Sequence, residues 1–357
     1  MGMVDSFRNG GRARRSHQTL RLAGVVVALT LVPAFARAQQ ADPGWVGKRV
    51  VAKDPYFTLE SDKQAGGYGG QVDCYRVEQV DGARVRITSE MTGRSGWTSA
   101  DQVVPLEKGV AFFTDYIRAH PRDVTGYLFR AHVRILENDL TTALTDLDEA
   151  IRLKPTQAYL FSARGAVWAD RGDDAKAIAD YSEAIRLTPW HPSPYYNRAL
   201  AWDRKGEYKK ALADFQTTIR LEPRFAHAYG ARGTVRMHMK EYDRALMDFN
   251  RAIRIDPNLA LAYSSRAWLW ASCPNARFRN GKKAVESATK ACKLTAWQNR
   301  NNIAVLAAAY AEAGDFASAV MCQTKANEMA VGVDVIKKGE ERLKLYQAKK
   351  PYHEPAK

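Results

Sequence analysis

Proline recurs in this chain at a fixed interval: Pro121, Pro155, Pro189, Pro223 and Pro257 are each 34 residues apart (155−121, 189−155, 223−189, 257−223). A period of that length, held over five positions, confines the fold to a stack of similar units, each burying its apolar face against the next. The residues between the prolines keep the same register. Ala143, Ala177, Ala211 and Ala245 come first, then Leu147, Tyr181, Phe215 and Phe249, then Ala150, Ala184, Thr218 and Ala252, and Ile-Arg-Leu/Ile-x-Pro closes each unit. Nearer the front, Tyr127, Phe161, Tyr195 and Tyr229 are each followed by a small residue: Ala131, Gly165, Ala199 and Gly233. Small residues at a crossing let two antiparallel helices approach, and large aromatics fill the space against the neighbouring unit. Each proline stops the second helix of its pair, while Gly172 and Gly206 stand where the first helix ends and left-handed backbone is favoured.

This register resembles the tetratricopeptide repeat, with residues 123–257 similar to four repeats in phase and more degenerate copies on both sides. The resemblance implies a mainly α fold, a solenoid of antiparallel helix pairs. Two further ladders run through it. Arg130, Arg164, Arg198 and Arg232 take the seventh repeat position, and Asp146, Asp180, Asp214 and Asp248 the twenty-third. An arginine stripe could bind polyanions, but an Arg facing the Asp of its own repeat fixes helix against helix, so the ladder is predicted to be structural.

The first 38 residues read as an address. Arg12, Arg14, Arg15 and Arg21 precede the apolar run Leu22 to Ala36, and Ala36-Arg37-Ala38 gives a small-x-small cleavage pattern, so a secretory signal peptide is predicted over 1–38. The apolar run is short for a membrane span, and no transmembrane span is expected after cleavage. Cleavage would leave 54−6 = 48 basic and 38 acidic residues (39−1), a net charge of +10. Such a charge favours anionic surfaces, including cell-wall polymer and acidic proteins, and export argues against nucleic acid. Cys74, Cys273, Cys292 and Cys322 lack metal-ligand spacing and are read as buried thiols.

Residues 42–106 differ from the rest. Lys48–Ala52, Cys74–Val80, Ala83–Thr88, Ser95–Thr98 and Gln102–Pro105 alternate as short strands, with Asp81-Gly82 as a two-residue turn. Five such strands predict a small β-barrel, and Gly96-Trp97 with Val103-Val104-Pro105 resemble a bacterial SH3-like domain. Gly66-Gly67-Tyr68-Gly69-Gly70 lacks the Lys-Ser/Thr of a phosphate loop and reads as a flexible loop.

Residues 107–122 form a linking half repeat, because Phe113 precedes Pro121 as Phe215 precedes Pro223. The solenoid is predicted over 123–330, with four regular and two degenerate repeats. The fifth carries extra residues in the turn from Pro274 to Gly281. Residues 331–357 read as a capping helix, with Lys337, Lys338, Glu340, Glu341, Arg342 and Lys344 outward, followed by a loose tail from Lys349.

The chain has none of the nucleophile, metal or phosphate motifs that carry catalysis, so neither an enzyme nor a cofactor is expected. Function is placed on the concave face, which in the resembled family is lined by positions 2, 5, 9, 12 and 13 of each first helix. Carried over, that face takes Tyr159 and Ser162 from the second repeat, then Ser193, Tyr196, Asp203 and Arg204 from the third. The fourth adds His227, Thr234, Met237 and His238. A two-carboxylate clamp would need Lys, Asn and Lys where the third repeat has Tyr196, Leu200 and Arg204. The expected partner is instead an extended protein or peptide segment bound by an exported scaffold. The competing expectation is a cell-envelope protein that binds peptidoglycan through the SH3-like domain.

Overall fold

A computed structural model describes residues 43–54, 57, 59 and 73–355. The signal-peptide reading of 1–38 and the glycine loop at 66–70 lie outside the described residues.

Five short strands come first: β1 (Arg49–Ala52), β2 (Cys74–Asp81), β3 (Arg84–Ser89), β4 (Ser95–Ser99) and β5 (Val103–Pro105). They form one antiparallel sheet in the order β4-β3-β2-β1-β5. Asp81 pairs with Arg84, so the hairpin turn is Gly82-Ala83, one residue later than the sequence suggests. Gly82 has φ +57°, and glycine at the first turn position suits a II′ turn. β1 is buried on both sides. Val50 points into the domain's own core with Val77, Val85, Ile87 and Val103, whereas Val51 joins Val104, Leu106, Phe113, Phe129 and Val133. Neighbouring residues of a strand face opposite ways, so β1 serves two cores at once.

Fourteen α-helices follow among the described residues. α1 (Leu106–Ala119) starts directly from β5 and has no first helix of its own. Its Phe113 stacks on Phe129 of the next helix at 5.2 Å between centroids. Four regular pairs come next: α2 (Val124–Leu136) with α3 (Leu140–Leu153), α4 (Ala158–Asp170) with α5 (Asp174–Leu187), α6 (Pro192–Arg204) with α7 (Tyr208–Leu221), and α8 (Ala226–His238) with α9 (Tyr242–Ile255). The fifth pair is α10 (Ala260–Ser272) with α11 (Gly281–Leu294), and the sixth is α12 (Arg300–Glu312) with α13 (Phe316–Glu328). α14 (Val333–Gln347) closes the stack.

The local reasons recur from pair to pair. Asp139 and Asp173 cap second helices by accepting the backbone N–H of Thr142 and Lys176. The turn within each of the four regular pairs passes through a left-handed residue, which is Gly172 and Gly206 in two of them and Asn138 and Lys240 in the other two. Gly165 and Gly233 mark close crossings within their repeats: a Cβ there would lie 2.9 Å from Tyr181 and 2.6 Å from Phe249.

The Arg–Asp ladder is made within repeats. Arg130, Arg164 and Arg232 reach Asp146, Asp180 and Asp248 at 2.7, 2.6 and 2.7 Å, and Arg198 reaches Asp214 at 2.7 Å. Three of these arginines also donate back to the preceding pair: Arg130 to Thr114, Arg164 to Asp148 and Arg198 to Ser182. One guanidinium thus ties two helices of its own repeat and a third from the repeat before.

Two expectations for the C-terminal region are corrected. Arg342 is not turned outward; its guanidinium lies over the rings of Trp268 and Tyr352, at 4.7 and 4.8 Å. The tail is not loose either. After α14, Lys350 N–H donates to Leu345 O, Lys349 takes φ +55°, and Pro351 prevents the helix from resuming. This reverses the chain onto the preceding repeats. The four cysteines are buried and unbridged.

Candidate functional site

Residues proposed for the concave face fall into two groups. Tyr159 on α4, His227 at the start of α8 and His238 at its end are exposed. Ser162, Ser193 and Thr234 are half-buried, and Thr234 donates to Gly230 O within its own helix. Tyr196 is a packing residue as much as a surface one: its ring lies 4.9 Å from that of Phe225 and 5.8 Å from that of Phe215. Burial raises its phenol above the ordinary pKa. Met237 is likewise half-buried against Ala245, Phe249 and Leu269.

The charged members are already partnered. Arg204 binds Asp174 at 2.5 Å, linking the end of α6 to the start of α5. Asp203 faces His238 Nδ1 at 3.4 Å across the third and fourth repeats, and that hydrogen bond raises the imidazole above its usual pKa. Gly230, the fifth position of α8, was not among the predicted residues. A Cβ at that position would meet nothing within 4 Å, so the groove has a notch there.

The same helix positions in the fifth and sixth repeats hold something further. Trp268 and Ser272 are the ninth and thirteenth residues of α10, and Glu312 is the thirteenth of α12. All three bind the returning C-terminal tail. Trp268 Nε1–H donates to Glu354 Oε1 at 2.8 Å, and Glu354 N–H donates to Ser272 O at 2.9 Å. His353 Nε2 meets Glu312 Oε2 at 2.7 Å, and the other oxygen of Glu312 accepts from Arg279 Nε at 3.1 Å. Tyr352 stacks on Trp268 with centroids 5.8 Å apart. The negative charge of Glu354 also acts to raise His238. The sequence signal for this site was Trp268 at a groove position, together with Tyr352-His353-Glu354 after a helix-ending proline.

Comparison with known proteins supports the repeat assignment. Residues 226–259, the fourth repeat, match the family model of the tetratricopeptide repeat. A tetratricopeptide repeat protein from Parabacteroides merdae superposes with a TM-score of 0.54 at 19% identity, over 68% of this chain and 92% of that one. A chain of the APC/C hetero-tetramer Cut9-Hcn1 gives a TM-score of 0.56 at 15% identity, over 66% of this chain and 46% of that one. This chain therefore matches under half of that second protein. Among curated proteins no sequence matches. The helical region is a tetratricopeptide-type solenoid of antiparallel pairs.

Proposed function

We propose that this chain is an exported, non-enzymatic interaction scaffold whose concave face binds an extended segment of a partner protein. The observation that carries this reading is the tail: Tyr352, His353 and Glu354 lie on the groove positions of α10 and α12. They are held by one backbone and several side-chain contacts. A face that receives one such segment has the chemistry to receive others, and aromatic and imidazole groups continue along α8 and α4. Export rests on the basic and apolar leader before Ala38.

The β-domain is read as an SH3-like spacer fixed to the solenoid through Val51 and Phe113. Among the described residues of this domain, Arg49 and Arg76 are both engaged by Glu90, at 3.0 and 2.8 Å, which leaves these two cations less available to an anionic polymer.

Affinity capture from an envelope extract tests the reading, using the tagged full chain beside a Gly230→Leu/His238→Glu variant. These changes fill the notch and place a carboxylate opposite Asp203 without altering the packed Tyr196. The variant is expected to lose the captured partner. Equal capture by both chains would remove the concave face of the regular repeats from the proposal.

A further inference from the structure

The docked tail is more than a cap. A cap needs to cover apolar surface, and α14 already does so by burying Tyr346 fully against the last pair. The tail instead satisfies polar groups one by one. Glu312 is a half-buried carboxylate held by Arg279 on one side and by His353 on the other. The Trp268 indole N–H has Glu354 as its acceptor, and the ring face is covered by Tyr352 and Arg342. Each contact comes from a different tail residue, and all fall on groove positions of first helices.

We infer that Tyr352-His353-Glu354 is a built-in ligand that occupies the C-terminal end of the concave groove. A partner segment with the same chemistry binds there by displacing it. The segment presents an aromatic ring, then an imidazole or cation, then a carboxylate, on extended backbone. The ring takes the Trp268–Arg342 face, the cation takes Glu312, and the carboxylate takes Trp268 Nε1. This rests on reading the concave face as a peptide groove and adds to it a ligand class and a gate.

Displacement is physically reasonable. Residues 351–354 of the tail are half-buried, follow the exposed Lys349–Lys350, and contribute one backbone hydrogen bond to the groove. As a tethered competitor it acts at an effective concentration of order millimolar, and the apparent affinity for an outside segment falls by the fraction of groove left open.

The test uses a fluorescein-labelled peptide with the sequence of residues 349–357 and anisotropy titration into the full chain. A second full chain carries Tyr352→Ser/Glu354→Lys, which detaches the tail through changes at partly exposed positions. The detached variant is expected to bind the peptide at least tenfold more tightly than the unaltered chain. A peptide with the same two substitutions is expected to lose at least tenfold on that variant. Equal affinity of the two chains, or no saturable binding to a variant with an unchanged melting temperature, overturns the inference. So does a detached variant that fails to fold, since the tail would then be structural. An unaltered chain that sediments as a dimer and becomes monomeric in the variant would show that the tail binds a second copy instead. The partner capture proposed above reads the regular repeats. If it succeeds while the peptide fails, the scaffold stands without the gate.

Discussion

The first four repeats and the last two solve the same packing problem with different chemistry. In the regular repeats the seventh and twenty-third positions are Arg and Asp, joined at 2.6–2.7 Å in all four. In the fifth repeat Arg266 meets the neutral Ser287 Oγ at 3.2 Å in place of an Asp and donates to Asn250 Oδ1 of the preceding repeat at 2.7 Å, and burial holds the guanidinium below its ordinary pKa. In the sixth the pair is Leu306 and Cys322, both buried and apolar. The next positions change in parallel: Gly165 against Tyr181 and Gly233 against Phe249 give way to Ala267 with Ala288 and to Ala307 with Gln323. Alanines on both α10 and α12 let these first helices lie along one another, whereas α4, α6 and α8 meet at few points. The regular repeats therefore hold geometry with ion pairs and keep an open groove. The terminal repeats close up on small residues and leave a site that takes a single extended strand.

The sharpest way to break this contrast is to remove the twenty-third side chain in each half. Asp248 is buried and serves both Arg232 and Arg236, at 2.7 and 2.8 Å. Asp248→Ala leaves two partly buried cations without a partner and is expected to destabilise α8 and α9 by about 3–5 kcal/mol. Cys322→Ala removes one sulfur from an apolar contact and should cost about 1 kcal/mol. Hydrogen exchange, resolved by helix, suits a solenoid that need not unfold as one unit. If the two losses prove equal, the ion-pair ladder is not what distinguishes the halves.

A smaller effect separates packing from propensity inside one helix. Gly233→Ala pushes a methyl to within 2.6 Å of Phe249 and should cost about 1–3 kcal/mol as the ring is displaced. Gly230→Ala, one turn earlier, enters open space and should be neutral or stabilising by up to about 1 kcal/mol through helix propensity. Denaturant midpoints of the two single variants decide this. A matching loss at both positions would mean that the Gly230 notch is already filled.

How much of this could be read from the chain alone follows the same division. Strict periodicity carries its own phase, so the four regular repeats, the Arg–Asp ladder and the half repeat around Phe113 were all legible from position counting. β1 was legible as a strand but not as a joint, because two adjacent valines give no sign that one belongs to another domain's core. The turn at Gly82-Ala83 came one residue late because Asp81 kept its ladder partner Arg84. The tail was misread because Lys-Lys-Pro looks like a solvated end. What docks it is a tertiary coincidence: Trp268 and Ser272 on α10 are some forty residues from Glu312 on α12, and the two helices meet only when the stack forms. Tyr196 shows the complementary limit, since a groove position by count can still be packed by a neighbour such as Phe225.

The smallest expected effect concerns His238, which faces Asp203 at 3.4 Å and is also raised by the charge of Glu354 in the tail. Its pKa is raised, first by the Asp203 hydrogen bond and further by the negative charges of Asp203 and Glu354, against some opposing desolvation. A raised imidazole binds its proton more tightly in the folded state than in the unfolded one. The stability it adds is therefore fully present below about pH 6.5, the ordinary histidine value, and is lost as pH rises through the higher folded value. The pair is half exposed, so solvent screening keeps the effect on melting temperature small. The titration itself is the better readout. In an NMR pH series the His238 ring should titrate above the ordinary range, and Asp203→Asn should bring it down toward about 6.5. The tail-detaching variant Tyr352→Ser/Glu354→Lys should lower it by a lesser amount, because Glu354 contributes through space and not by a hydrogen bond. If Asp203→Asn lowers the value and tail detachment does not, then Glu354 does not reach His238, and the groove of the regular repeats is electrostatically separate from the site the tail occupies.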